Sequence, residues 1–213
     1  MKMHQLGRVA GLLWLLLGCP PPARGQGEPD PYKPPANIAF RKAEVLSDGC
    51  RLAAELFALK GHEGRPLPTL ILCHGWGGTA NQLRPEAVAF ARAGYFVVTF
   101  DYRGWGASAG RVVLAGPAAR GKPGAPFTAR VREIREVVDP LEQTADLLNV
   151  LHWVHGEKQC DAKRIGLWGT SYSGGHVIFA AATRKTPGQR ALTGLYSKPS
   201  SCLRLQSRIG VLT

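Results

Sequence analysis

No apolar run among the 213 residues reaches the ~18 needed for a membrane-spanning helix, so no permanent span is expected. Acidic residues are scarce, 15 Asp and Glu against 27 Lys and Arg, and the formal net charge is +12. From Tyr172 to Thr213 there is no acid at all. The basic excess is concentrated. Arg184, Lys185, Arg190, Lys198, Arg204 and Arg208 give the last thirty residues +6, and the segment from Arg111 to Glu136 carries +4. Neither region interleaves its charge with stacking aromatics or carries a recognition-helix motif, so both read as solvated surface and nucleic acid is not an expected partner. There is no C-x-x-C, and no histidine cluster has metal-ligand spacing; neither a metal nor a cofactor is expected. With 45% apolar and 20% charged residues the chain is globular, and 26 glycines with 16 prolines point to a loop-rich fold rather than a helix bundle.

The N-terminus reads as an export signal over residues 1–25. Lys2 and Arg8 precede an apolar run from Val9 to Gly18, too short for a stable span and followed at once by Pro20-Pro21-Pro22. Ala23 and Gly25 place small residues three and one before a cut ahead of Gln26. The alternative is a lipoprotein anchored through Cys19, because Leu16-Leu17-Gly18-Cys19 resembles a bacterial lipobox. Either way the chain is expected to be exported. Residues 26–40 are proline-rich and read as a linker. Cys50, Cys73, Cys160 and Cys202 then remain, four cysteines that permit three disulfide pairings, with Cys73 expected as a buried free thiol. No feature sets an oligomeric state.

Beyond residue 41 strands and helices alternate, which predicts an α/β fold with a mainly parallel sheet. Ala43–Leu46 and Leu52–Leu59 are strand candidates around the turn Ser47-Asp48-Gly49. Thr69–Cys73 and Tyr95–Phe100 are continuous apolar runs, as expected of strands buried on both faces. A helix is predicted from Pro85 to Ala93, stopped by Gly94, and a second after Asp139 as N-cap, Pro140 as first residue and Glu142 as capping-box partner. Its predicted core stripe is Leu141, Ala145, Leu148, Leu151 and His152. Gly110 to Pro126 reads as irregular, Arg164–Trp168 as a third buried strand, and a last helix runs on to about Thr183.

Three turns follow the three apolar strands, at the strand ends where open α/β sheets place their sites. Gly169-Thr170-Ser171-Tyr172-Ser173 puts a serine between small residues on a strand-to-helix turn, with Ser173 where the motif usually has glycine. Gly174-Gly175 is expected to let the helix cross the strand closely. In His74-Gly75-Trp76-Gly77-Gly78 the Trp76 amide can face an oxyanion together with that of Tyr172, while His74 reads as a structural histidine packing the loop. Asp101 and Arg103, in Asp101-Tyr102-Arg103-Gly104-Trp105-Gly106, are expected to brace the loops.

These three motifs, in this order, resemble the α/β-hydrolase superfamily across about residues 41–183, and more closely its dienelactone-hydrolase-like and prolyl-peptidase-like members. The Ser171-Tyr172 pair is similar to that of the Xaa-Pro dipeptidyl-peptidase and cocaine-esterase group. The resemblance implies a serine hydrolase acting on a small-molecule or peptide ester or amide by acyl transfer. Ser171 would be its nucleophile, with Trp76 and Tyr172 as oxyanion donors.

The resemblance also implies an acid and then a histidine after the serine. Here that order fails: no Asp or Glu follows Ser171, and the single later histidine, His176, lies five residues on within the next helix, rotated off the serine's side. The acid and base are thus absent downstream. Residues 184–213 are expected to be a basic tail outside the fold, leaving the Ile165–Trp168 strand with an unpaired edge and the chain marginally stable. Two explanations fit: a truncated or frame-shifted reading of a longer hydrolase, or a shortened, catalytically dead module that binds ligands or partners.

Overall fold

The computed structural model describes residues 32–117, 121–183 and 190–194. All of these except Tyr32 belong to one compact unit, Lys33–Thr213. The expected export signal, its cleavage site, Cys19 and Cys202 lie outside the described residues. No described helix is long and apolar enough to cross a membrane.

In chain order the elements are β1 (Ile38–Ser47), β2 (Cys50–Leu59), β3 (Leu67–Cys73), α1 (Arg84–Arg92), β4 (Phe96–Phe100), β5 (Arg111–Leu114), β6 (Val131–Ile134), α2 (Pro140–Val154), β7 (Cys160–Thr170), α3 (Tyr172–Thr183) and β8 (Arg190–Gly194). Six strands form one mixed sheet in the order β1-β2-β4-β3-β7-β8. β1, β2 and β4 pair antiparallel, and β4, β3, β7 and β8 run parallel. The β1–β2 hairpin turns on Asp48 and Gly49, both at positive φ (46° and 81°), as a two-residue hairpin requires. β4 is buried at every position, and so is β3 from Thr69 to Cys73, which is why the sequence shows unbroken apolar runs there. Cys50, Cys73 and Cys160 are buried free thiols, and burial pushes the Cys73 thiol up to about 12.

Several expectations are corrected. The segment 184–213 does not lie wholly outside the fold, because residues 190–194 form β8 beside β7. β7 therefore lies between β3 and β8, and its expected open edge is closed. Residues 38–40, assigned to the linker, begin β1, since every position from Ile38 to Ser47 has a partner on β2. The stretch read as irregular contains β5, which pairs with β6 as a separate two-stranded sheet.

The α2 prediction has the right ends and a face that is right only in part: Leu151 is buried and Leu148 packs against the core. Asp139 caps the helix, accepting from the Leu141 and Glu142 N–H groups at 2.9 and 3.1 Å. Glu142 turns to Arg111 as an ion-pair partner. Leu141 is 75% exposed and His152 is exposed, whereas Leu147, Val150, Leu151 and Val154 are buried together with Asp146. The buried stripe is thus rotated from the predicted one, because it carries a carboxylate that an apolarity count places outside.

Candidate active site

β7 ends at Thr170 and α3 begins at Tyr172, leaving Ser171 alone on the turn with φ +53°. For a non-glycine residue this left-handed conformation costs on the order of 1–3 kcal/mol and persists only where the surroundings impose it. Two neighbours do so. A Cβ on Gly169 would lie 2.5 Å from the Ser173 carbonyl oxygen, so the turn closes only over glycine. The buried Ser173 hydroxyl accepts from the Thr170 N–H at 2.9 Å and lies 2.7 Å from the Cys73 carbonyl as its donor. Ser173 is more than a small residue replacing glycine: it ties the serine turn to the end of β3. The expected close crossing at Gly174 and Gly175 is not found. A Cβ at either would meet nothing within 4 Å, and the tight approach is at Gly169 instead.

The turn after β3 packs directly against this serine. The Gly78 N–H donates to the Gly75 carbonyl at 3.1 Å across a four-residue turn whose third residue, Gly77, has φ +68°, a value that favours glycine. A Cβ on Gly75 would sit 3.3 Å from Ser171 Cβ and 3.8 Å from its Oγ. The Gly75–Trp76 peptide therefore passes beside the serine hydroxyl. This turn's hydrogen bond does not engage the Trp76 N–H. The Tyr172 N–H, as the first of α3, has no intrahelical acceptor. The Trp76 side chain is 71% exposed, its ring centroid 6.0 Å from that of Tyr172.

His74 packs inside its own loop. It is buried, donates through Nδ1 to the Gly75 carbonyl at 2.9 Å and meets the Tyr102 ring edge-on. Its Nε2 lies 4.0 Å from Asp101 Oδ1, and burial holds its pKa below the ordinary imidazole value. The pair has the composition of an acid–base dyad, but at 4.0 Å His74 Nε2 makes no hydrogen bond to Asp101 or to any other described residue. Asp101 accepts from the Ala80 and Ala107 N–H groups at 2.7 and 2.9 Å, which pins two loops, and burial raises its pKa. Gly106 (φ +51°) lies against that carboxylate with no room for a side chain. Arg103 binds the buried Asp146 through Nε and Nη2 at 2.9 and 2.7 Å. Asp101 and Arg103 therefore brace loops, as expected.

His176, the one histidine after Ser171, is held by Tyr102, whose hydroxyl is 3.2 Å from Nδ1, and its ring packs on Tyr172 at 4.6 Å. Burial, with His74 adding to it, lowers its pKa. Among the described residues no histidine or carboxylate is hydrogen-bonded to the Ser171 hydroxyl. Tyr102 is what the sequence reading missed: it packs on His74, Phe100 and His176, joining the floor of all three turns. Its position directly after a buried strand was the only signal available.

A strained single-residue turn between a central parallel strand and a helix, faced by a glycine-rich turn from the next strand, is the architecture of an α/β-hydrolase. Solved structures share the fold. A hypothetical protein from Pseudomonas aeruginosa superposes with a TM-score of 0.59 at 24% identity, over 76% of this chain and 44% of that one. An acetyl xylan esterase from Paenibacillus sp. R4 gives 0.54 at 24% identity, over 74% and 49%. The family model for the X-Pro dipeptidyl-peptidase (S15) family matches residues 48–200, and the chain belongs to that family. An uncharacterized 31.7 kDa protein of Escherichia coli, from the traX-finO intergenic region, is 41% identical over 116 residues, which is 54% of this chain and 32% of the relative. The chain spans about a third of the length of the curated relatives it matches first.

Proposed function

We propose that the site belongs to a serine hydrolase acting on an ester or amide by acyl transfer. Ser171 Oγ attacks the carbonyl carbon, the Trp76 and Tyr172 amides hold the oxyanion, and the alcohol or amine leaves with a proton. The observation that carries this reading is the φ of +53° at Ser171, held by Gly169 and set beside the Gly75–Trp76 peptide. Family membership supports hydrolysis in general, and an esterase among the solved structures supports an ester as the simplest substrate.

The serine proton needs a base. His74 Nδ1 faces the Gly75 carbonyl, His176 Nδ1 lies 3.2 Å from the Tyr102 hydroxyl, and neither ring is hydrogen-bonded to Ser171. This favours a second reading for the sequence as given, a hydrolase-like module that binds substrate-like ligands with little turnover. Turnover of p-nitrophenyl acetate separates the two. We expect a rate barely above background, with the small excess lost in Ser171→Ala. Rapid turnover by the unmodified chain would reveal a base that serves Ser171. An excess that survives Ser171→Ala would remove Ser171 from the chemistry.

A further inference from the structure

At 71%, Trp76 is the most exposed Phe, Trp or Tyr side chain among the described residues, and it stands beside the exposed Ser171. Its backbone is fixed. The turn from Gly75 to Gly78 closes on its own hydrogen bond, and a Cβ on Gly78 would lie 2.9 Å from Gln82 Oε1 and 3.2 Å from His74 Cβ. One residue before the tryptophan, a Cβ on Gly75 would sit 3.3 Å from Ser171 Cβ. The indole's point of attachment therefore cannot leave the serine without opening the turn.

The indole is also the outer end of a row of rings. Buried Tyr102 meets His176 at 5.5 Å and 74°, and His176 meets Tyr172 at 4.6 Å and 78°. Tyr172 then meets Trp76 at 6.0 Å and 55°. Spacings of this size are those at which aromatic rings attract one another beyond their burial. The Tyr172 ring is thus held from the core side, while most of the indole meets water. Isolated exposed hydrophobic side chains are ordinary on a protein surface. This one differs, because it is carried by the residue whose N–H would hold the oxyanion.

We propose that Trp76 is a specificity-determining residue whose indole binds an apolar aliphatic substituent of the carbonyl substrate. The inference rests on the acyl-transfer reading, which sets the carbonyl oxygen at the Trp76 N–H. A group on the carbonyl carbon then lies within reach of the indole on that same residue. A hydrocarbon chain laid on the ring removes apolar area of both partners from water. An indole face also attracts cations, but the chain's net charge of +12 disfavours a cationic substrate. A fully buried methylene is worth roughly fourfold in affinity, and one flat ring covers about half of it, which leaves about twofold per methylene.

The test measures equilibrium binding of simple amides to the full chain by ligand-observed NMR. Hexanamide and N-butylacetamide are isomers that add the same methylenes to acetamide, the first on the acyl side and the second on the amine side. At least one of them should bind roughly fifteenfold more tightly than acetamide. Trp76→Ala should erase that preference, and Trp76→Phe should keep most of it. The side chain is exposed, so the fold survives, as an unchanged circular dichroism spectrum would verify. The preference should also persist in Ser171→Ala, which removes the nucleophile and leaves the ring. That arm separates the two readings: failure of acyl transfer shows as Ser171 left unlabelled by a fluorophosphonate, with the amide preference unaffected. Equal affinity for all the amides, or no measurable binding of either longer one, overturns the proposal. So does a preference that survives Trp76→Ala, or one that Trp76→Phe loses as completely.

Discussion

Replacing Asp146 with alanine should destabilise the fold by about 3 kcal/mol. Asp146 on α2 is fully buried and accepts from the Arg103 N–H, Nε and Nη2 and from the Ser47 hydroxyl, the last at 2.6 Å. It thereby joins α2 to the β1–β2 turn and to the loop after β4. Its loss strands a guanidinium whose side chain is only 10% exposed. Breaking a buried pair from one side costs about 3–5 kcal/mol. The lower end applies here, because Asp48 lies 3.2 Å from Arg103 Nη2 at the surface and takes up part of the charge. With a urea slope of about 2 kcal/mol per molar, the unfolding midpoint falls by about 1.5 M. Pairing Asp146→Leu with Arg103→Met should recover all but about 1 kcal/mol, since neither charge is then left buried alone. A midpoint change below about 0.5 M for Asp146→Ala, or a double variant as unstable as the single, would refute the reasoning.

Gly169→Ala forces a methyl group onto the Ser173 carbonyl and should cost about 1–3 kcal/mol while slowing any reaction at Ser171; a thermal melt and a serine-probe assay check both. Burial keeps His176 and His74 below the ordinary 6.5, so the folded chain favours their neutral forms. The stability tied to that preference is complete above about pH 6.5 and is lost as pH falls through the lower folded-state values. Urea midpoints should therefore drop between about pH 7.5 and 5.5, less so in His176→Gln; an unchanged slope in that variant contradicts the assignment. Export predicts that secreted protein begins near Gln26 by N-terminal sequencing; an intact Met1 terminus in the cytosol contradicts it, and a lipid on Cys19 makes the protein a lipoprotein.

Burial on both faces made β3, β4 and the core of β7 legible, because it leaves no polar position to interrupt the run. The ends of α2 were legible from Asp139 and Pro140, whose capping chemistry is local. Its inward face was legible only in part, since Asp146 is buried by an arginine 43 residues away in sequence, which no helical period encodes. β5 and β6 have no burial signature because nearly all of their residues are exposed, and β8 is five residues without an apolar run. Ser171 was legible from the small residues a strained turn requires. The hydrogen bonds of Ser173 and the packing of Tyr102 depend on β3 and β4 lying next to the serine turn, and only the folded sheet supplies that.

The proposed site is a formed nucleophile turn at Ser171 to which no described histidine or carboxylate is hydrogen-bonded. A fluorophosphonate probe, with its adduct mapped by mass spectrometry, tests both halves at once. The prediction is slow labelling confined to Ser171, abolished in Ser171→Ala. Fast labelling of Ser171 would show that a base serves it after all, and labelling of a different residue would show that the turn after β7 is not the site.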